Sequence, residues 1–315
     1  MIWLHLLIFA VGIVLIVKGG DFFVDAASWI AEVSGIPKFL IGATIVSVAT
    51  TLPELFVSMI AASEGKVDMA VGNAVGSVTA NTGLILAVSL IFISAAASRK
   101  DFLIKSVLLV AASVTLYLFS IGGALMYAGS AILFVIFAIF IYENIVSAKK
   151  NAEKSDRPET DKKTIAINVV KFIAGAAGIV IGSRFLVNSG SEIALFFGVS
   201  EGIIAVTLVA VGTSLPELVT AVTAIIKKQS SLSVGNIVGA NIIDLCLILP
   251  LCSLISGKPL PISHQGLVLD MPVCILVTAV AVVPMLIKEK FMKWQGFVLL
   301  AFYTAYIVIL CVTMR

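Results

Sequence analysis

Three acids stand in apolar runs where a carboxylate has no water to turn to. Glu54 lies in ATTLPELFV, Glu217 in GTSLPELVT and Asp244 in ANIIDLCLI. Around them, at corresponding places in the chain, are the hydroxyls of Thr50, Thr51, Ser77, Thr213 and Ser214 and the amide of Asn81. Each Pro-Glu pair carries a proline that has no N–H for the carbonyl four residues back, so main-chain oxygens near Ser47 and Ala210 join the set. All of these are hard oxygen donors, suited to hard cations. Ca²⁺ takes six to eight oxygens at about 2.3–2.6 Å in irregular geometry, whereas Mg²⁺ prefers to keep its waters. Na⁺ also accepts the neutral hydroxyls and carbonyls, so one such pocket would take either one Ca²⁺ or several Na⁺. Three converging carboxylates repel one another, and bound cations or protons must neutralise them.

The polar stretch occurs twice. Adding 163 to a residue number carries TTLPEL, ending at Leu55, onto TSLPEL, ending at Leu218. The same shift carries VGNAVGS onto VGNIVGA and Asn81 onto Asp244. From Gly35 to Asn81, sixteen of forty-seven gap-free positions are identical. Apolar composition raises chance identity, but it does not align Pro-Glu with Pro-Glu and Gly-Asn with Gly-Asn in one register. The chain is an internal duplication.

The elements that must position these residues follow from composition. Of 315 residues 60% are hydrophobic and 12% charged, with mean hydropathy +1.15, which marks a polytopic membrane protein. Apolar runs long enough to span fall at 3–32, 38–63, 67–95, 102–120, 123–147, 164–196, 200–226, 230–255, 266–287 and 292–313. The reading is therefore an all-α membrane protein of ten helices, with helices 2 and 7 broken at their prolines. The start of the chain lacks a signal-peptide pattern, so its first helix is expected to be retained. Sixteen Lys and Arg fall in the odd-numbered loops, against three (Lys66, Lys258, Arg315) in the even loops and termini. The positive-inside rule then puts odd loops in the cytoplasm and both termini outside. Five helices per half is an odd number, so the halves cross in opposite directions: residues 1–147 and 164–315 form inverted repeats. They are joined by a charged, flexible cytoplasmic linker at 148–163.

Other residues complete the reading. Gly72/Gly76 and Gly235/Gly239 allow close helix packing. Asn73 and Asn236 suit either a bracing interhelical hydrogen bond or the pocket itself. Asp21 and Arg184, equivalent in the two long first helices, are read as a buried pair or as snorkelling ends, and Lys18 also lies within reach of Asp21. Glu143 and Asp270 are assigned to the interfaces. Four scattered cysteines read as small buried thiols, and no HExxH occurs, which excludes an intramembrane metalloprotease. The net charge of +3, distributed as above, points to no nucleic-acid partner.

The doubled T-[ST]-L-P-E-L and G-N-x-x-G-[SA] motifs resemble the alpha repeats of the cation/Ca²⁺ exchanger superfamily, and the chain is most similar to its prokaryotic sodium/calcium exchangers. The resemblance implies an electrogenic antiporter and not an enzyme. It would work by alternating access at a midplane site as helices 1 and 6 slide across the other eight. It implies Ca²⁺ and Na⁺ as cargo, no cofactor, a lipid bilayer and no further partner, function as a monomer, and a place in the inner (cytoplasmic) membrane of a prokaryote. Glu54 and Glu217 match the family's Ca²⁺-ligating glutamates, and Thr50 and Thr213 its carbonyl ligands. Thr51, Ser214, Ser77, Asn81 and Asp244 match flanking positions, with carbonyls from Ser47 and Ala210. Ala240 stands where the family commonly has Ser, which removes a hydroxyl from one Na⁺ position and leaves the carbonyl. Gly76 and Gly239 stand where the proton-coupled branch has Glu, which argues against Ca²⁺/H⁺ exchange. Ca²⁺/H⁺ or K⁺-dependent exchange remains the alternative. A cation channel fits poorly with an antiparallel duplication.

Overall fold

A computed structural model describes residues 2–92, 99–152, 160–197, 212–288 and 290–313. They form ten apolar helices: α1 (Ile2–Ser34), α2 (Lys38–Ser63), α3 (Val67–Phe92), α4 (Arg99–Ser120), α5 (Tyr127–Ala152), α6 (Lys162–Phe196), α7 (Leu215–Ile226), α8 (Ser230–Ser256), α9 (Gly266–Lys288) and α10 (Lys293–Thr313). Among the described residues nine of these are long and apolar enough to cross a bilayer. The shorter α7 follows residues 198–211, which lie outside the described part, as does 93–95 of the expected third span. The protein is a multi-pass membrane protein, and its span boundaries fall close to those read from hydropathy.

α3 and α8 are the inner helices, with 72% and 83% of their apolar windows buried, against 17% for α1 and 22% for α6. The outer two form a closely packed pair. A methyl group built on Gly12 would lie 3.0 Å from the Gly182 carbonyl oxygen, and one on Gly19 would lie 2.9 Å from that of Gly175. Numbers rise along one helix as they fall along the other, so the two are antiparallel. At the centre, α2 crosses α8 with almost no side chain between them: a methyl on Gly235 would sit 2.1 Å from the Phe39 carbonyl oxygen. Only a residue without Cβ permits that approach.

The helices depart from α geometry in places that differ from the expectation. α2 does not break at Pro53; its α-helical part runs unbroken from Ser47 to Ser63. Its irregular turn comes earlier, a π-helical stretch at Gly42–Val46. Pro53 still withholds an N–H from Ala49, but a proline ring is tolerated inside a membrane helix when neighbouring side chains satisfy the freed groups. In the second half the break is present. Thr213 and Ser214 form a turn, and α7 starts at Leu215 with Pro216 in its first turn, where a missing N–H costs nothing. Two further π turns, Asn81–Leu86 in α3 and Asp244–Ile248 in α8, begin at the residues that the duplication equates.

The charged segment between the halves is shorter than its composition indicates. α5 continues through Ala152, and α6 starts at Lys162, where the Asp161 carboxylate accepts a hydrogen bond from the Thr164 N–H at 3.3 Å. That bond holds the Asp161 carboxyl below the usual aspartate range. Glu143 is paired with Lys105 of α4, which is fully buried and lies over the Phe39 ring. Asp270 accepts a hydrogen bond from the Tyr306 hydroxyl at 3.0 Å. A two-residue pairing of Ala124–Leu125 with Leu260–Pro261 ties the loop after α4 to the loop after α8.

Candidate functional site

The acids of the two halves meet between α2, α3, α7 and α8. Glu54, Glu217 and Asp244 are each at most 1% exposed. Thr51 of α2 donates to Glu217 Oε1 of α7 at 3.2 Å, which joins the halves directly. Thr50 donates to Asn236 Oδ1 of α8 at 3.2 Å, and Asn241 of α8 donates to Thr82 Oγ1 of α3 at 2.8 Å. Asn73 of α3 donates to the Glu54 carbonyl oxygen at 3.3 Å and to Ser58 Oγ at 2.9 Å. The two motif asparagines therefore brace helices; of the two readings open from sequence, this is the one their contacts support.

Like the acids, Ser47, Thr50, Thr51, Ser77, Asn81, Ser214 and Ala240 are buried, and Thr213 is half-buried and lines a cavity with Pro53 and Pro216. Ala210 lies outside the described residues. Among the described residues, both carboxylate oxygens of Glu54 and of Asp244 lack a hydrogen-bond partner. So do Glu217 Oε2, Ser77 Oγ, Ser214 Oγ and Asn81 Oδ1. Orphaned buried oxygens on this scale cost several kcal/mol each unless something neutralises and coordinates them. A cation is one group that would answer that need. No three His, Cys, Asp or Glu side chains among the described residues form a group able to hold one metal ion together. The acids are thus spread over the pocket, and hydroxyl, amide and main-chain oxygens must complete any single coordination sphere.

The duplication is not reproduced as symmetric contacts. The counterpart of the Thr51–Glu217 bond would run from Ser214 to Glu54, and neither of those side chains has a partner among the described residues. The local backbone differs as well: Thr213 and Ser214 form a turn, whereas their counterparts Thr50 and Thr51 lie in α-helix. Sequence reasoning missed Thr82 and Asn241, whose mutual hydrogen bond lies beside the π turns. Their signal was available as two more buried polar residues at membrane depth, one from each half.

The family model described as "Sodium/calcium exchanger protein" matches residues 4–146 and again 167–312, two segments that begin 163 residues apart. The chain belongs to the sodium/calcium exchanger family. It is 30% identical to the sodium/calcium exchanger MaX1 of Methanosarcina acetivorans, over 98% of this chain and 99% of that protein. It is 32% identical to the inner membrane protein YrbG of Escherichia coli over 86% of this chain and 85% of that one. Its fold is similar to that of the sodium-calcium exchanger NCX_Mj soaked with Na⁺ and Sr²⁺, with TM-score 0.83 and 29% identity over 98% of this chain and 99% of that chain. Members of this exchanger family are transporters, and no reaction chemistry is needed to account for the buried acids.

Proposed function

We propose that this exchanger is an electrogenic Na⁺/Ca²⁺ antiporter that binds its ions in turn at a pocket near the membrane midplane. The observation that carries the proposal is the set of buried, unpartnered carboxylate oxygens of Glu54, Glu217 and Asp244, drawn from both copies of one motif. Ca²⁺ would bind Glu54 and Glu217 with oxygens of Thr50 and Thr213, and Na⁺ would use these with Thr51, Ser214, Ser77, Asn81, Asp244 and the carbonyls of Ser47, Ala210 and Ala240. Two carboxylates neutralise one Ca²⁺, so the charge of Asp244 is the one Ca²⁺ does not require. Strict exchange follows from charge: a loaded pocket is near neutral and free to switch sides, whereas the empty pocket holds repelling acids that resist transfer through a low dielectric.

Several features support inverted repeats. α1 and α6 run antiparallel, and their glycine contacts come as the pairs 12–182 and 19–175, which exchange with each other under the 163-residue shift. That is the pattern a two-fold axis produces. The repeats would be residues 1–147 and 164–315 around the 148–163 linker. The basic odd-numbered loops favour a cytoplasmic face for Lys38, Lys227 and Lys288, with both termini outside, in the inner membrane of a prokaryote. One chain contributes every pocket residue, so a monomer suffices.

Proteoliposomes loaded in turn with Na⁺, K⁺ or protons provide the test. Outward Na⁺ alone is expected to drive ⁴⁵Ca²⁺ uptake, at a rate that changes with a clamped membrane potential. Uptake driven only by protons would overturn the assignment. The K⁺ arm matters because 42% of this chain is 30% identical to the mouse sodium/potassium/calcium exchanger 3.

A further inference from the structure

Beyond the pocket, the two faces of the molecule are closed unequally. On the basic face Lys227, just past α7, reaches α1: its Nζ lies 2.8 Å from Asp25 Oδ1 and 3.2 Å from both Asp21 Oδ1 and the Asp21 carbonyl oxygen. Beside it, a methyl on Gly20 would fall 2.7 Å from Thr223 Oγ1 of α7. Phe23, Val24 and Ala27 of α1 pack there with Ala224 of α7 and Leu232 of α8 into a sealed apolar cluster.

The 163-residue shift carries Gly20 to Ser183, Asp21 to Arg184 and Asp25 to Asn188, and carries Lys227 back to Glu64. The charges change sign together. An acid on the first helix facing a base at the end of α7 becomes a base on α6 facing an acid at the end of α2. Such a reversal keeps the pair attractive. Yet on this opposite face the pair is not made: Glu64 is 2.6 Å from Lys66. Ser183 and Arg184 instead line a cavity of about 140 Å³ with Pro53, Val57, Thr213 and Pro216. Val57 is seven residues before Glu64, two helical turns or about 10 Å along α2. Where one face has Gly20 against Thr223, the other has open space leading to Thr213.

We propose that Lys227 with Asp21 and Asp25, and Arg184 with Glu64, are two latches of opposite polarity that close in alternation. In the state described, the basic-face latch is shut and its counterpart is open. Switching brings Arg184 to Glu64, closes the cavity beside Thr213, and frees Lys227 from α1. This rests on the alternating exposure proposed above. It adds the residues that hold each face closed. Lys227 and Glu64 stand just past the ends of α7 and α2, and Asp21, Asp25 and Arg184, though inside α1 and α6, are partly exposed, so an ion pair here is weak enough to be released in every cycle.

The test measures half-saturating Ca²⁺ from each side of oriented vesicles. Lys227→Met removes the basic-face latch, so Ca²⁺ offered on that face is expected to half-saturate at up to roughly fivefold lower concentration, and Ca²⁺ on the other face at a higher concentration by a smaller factor. Glu64→Gln is expected to shift the two values in the opposite directions. The charge exchanges Lys227→Asp with Asp25→Lys, and Glu64→Arg with Arg184→Glu, should restore wild-type values. Shifts of the same sign in both single variants, no shift in either, or no restoration would overturn the latches while wild-type exchange still stands. If the wild type does not exchange, the antiport reading fails by itself, and a bifunctional thiol reagent decides the latches. Asp25→Cys with Lys227→Cys, and Glu64→Cys with Arg184→Cys, should each cross-link above single-cysteine controls and exclude one another. An outer pair that never links, or both links within one molecule, would refute them.

Discussion

Glu217 and Glu54 occupy equivalent places in the duplicated motif, yet only Glu217 receives a described side-chain hydrogen bond, from Thr51. Both should nevertheless be indispensable, because neutralising either leaves a divalent ion buried with too little charge opposite it. Glu54→Gln or Glu217→Gln is expected to lower ⁴⁵Ca²⁺ uptake by about 100-fold or more, in line with the 3–5 kcal/mol lost when one partner of a buried charge pair is removed. Asp244→Asn should leave half-saturating Ca²⁺ within a few-fold of wild type while weakening Na⁺ dependence; a loss of Ca²⁺ uptake as large as that of Glu217→Gln would place Asp244 among the Ca²⁺ ligands. Ala240 is fully buried. Ala240→Ser restores a hydroxyl there, and a net gain of about 1 kcal/mol would lower the Na⁺ concentration for half-maximal exchange roughly fivefold. A Na⁺ titration of uptake by the variant checks this. The acids were recognisable in the sequence because a carboxylate in an apolar run has no inexpensive alternative. Their unequal hydrogen bonding was not, since both copies read almost the same.

At the scale of the helix, prolines proved less informative than the residues around them. Pro53 lies inside a continuous helix, whereas Pro216 stands in the first turn of one, and their immediate neighbours are nearly identical. In the first half, α2 is held against α8 from Phe39 to Ser47 and by the Thr50–Asn236 bond. The π turns at Asn81 and Asp244 have no sequence signature of their own, because a π turn is an accommodation to neighbours. The α2–α8 crossing is a place where the sequence does carry a physical requirement. Gly235→Ala forces a methyl to within 2.1 Å of a carbonyl oxygen that belongs to another helix backbone. It is expected to destabilise the protein by about 1–3 kcal/mol, the cost of overpacking, read as a lower melting temperature in detergent. An unchanged melting temperature would mean that α2 and α8 separate freely.

For the whole molecule, sequence reading did not find the partner of Asp21. Asp21 faces neither Arg184 nor Lys18 among its described ion-pair partners; it faces Lys227, more than two hundred residues away. Partial burial alone would lower the Lys227 pKa, but the carboxylates of Asp25 and Asp21 outweigh it and hold the ammonium above the usual lysine value. A raised lysine pKa stabilises the folded form fully below the unfolded value, about 10.5, and loses that contribution as pH rises through the folded value. The difference in melting temperature between wild type and Lys227→Met should therefore stay constant through neutral and mildly alkaline pH and vanish only above that range. It should also shrink in high salt, because the pair is partly solvated and worth about 1 kcal/mol at most. A difference that disappeared near neutrality would show that Lys227 does not act as an ammonium.

Span positions, the duplication and the pocket's acids were all determined by the sequence alone, because each rests on a local cost: apolar length, register identity, or a charge kept from water. The helices that touch across the two halves were decided only by tertiary structure. So were the motif copy that breaks, the Asp21–Lys227 pairing and the face that closes. Those outcomes depend on small energy differences between two nearly equivalent halves, and near-equivalence is what one duplicated sequence encodes.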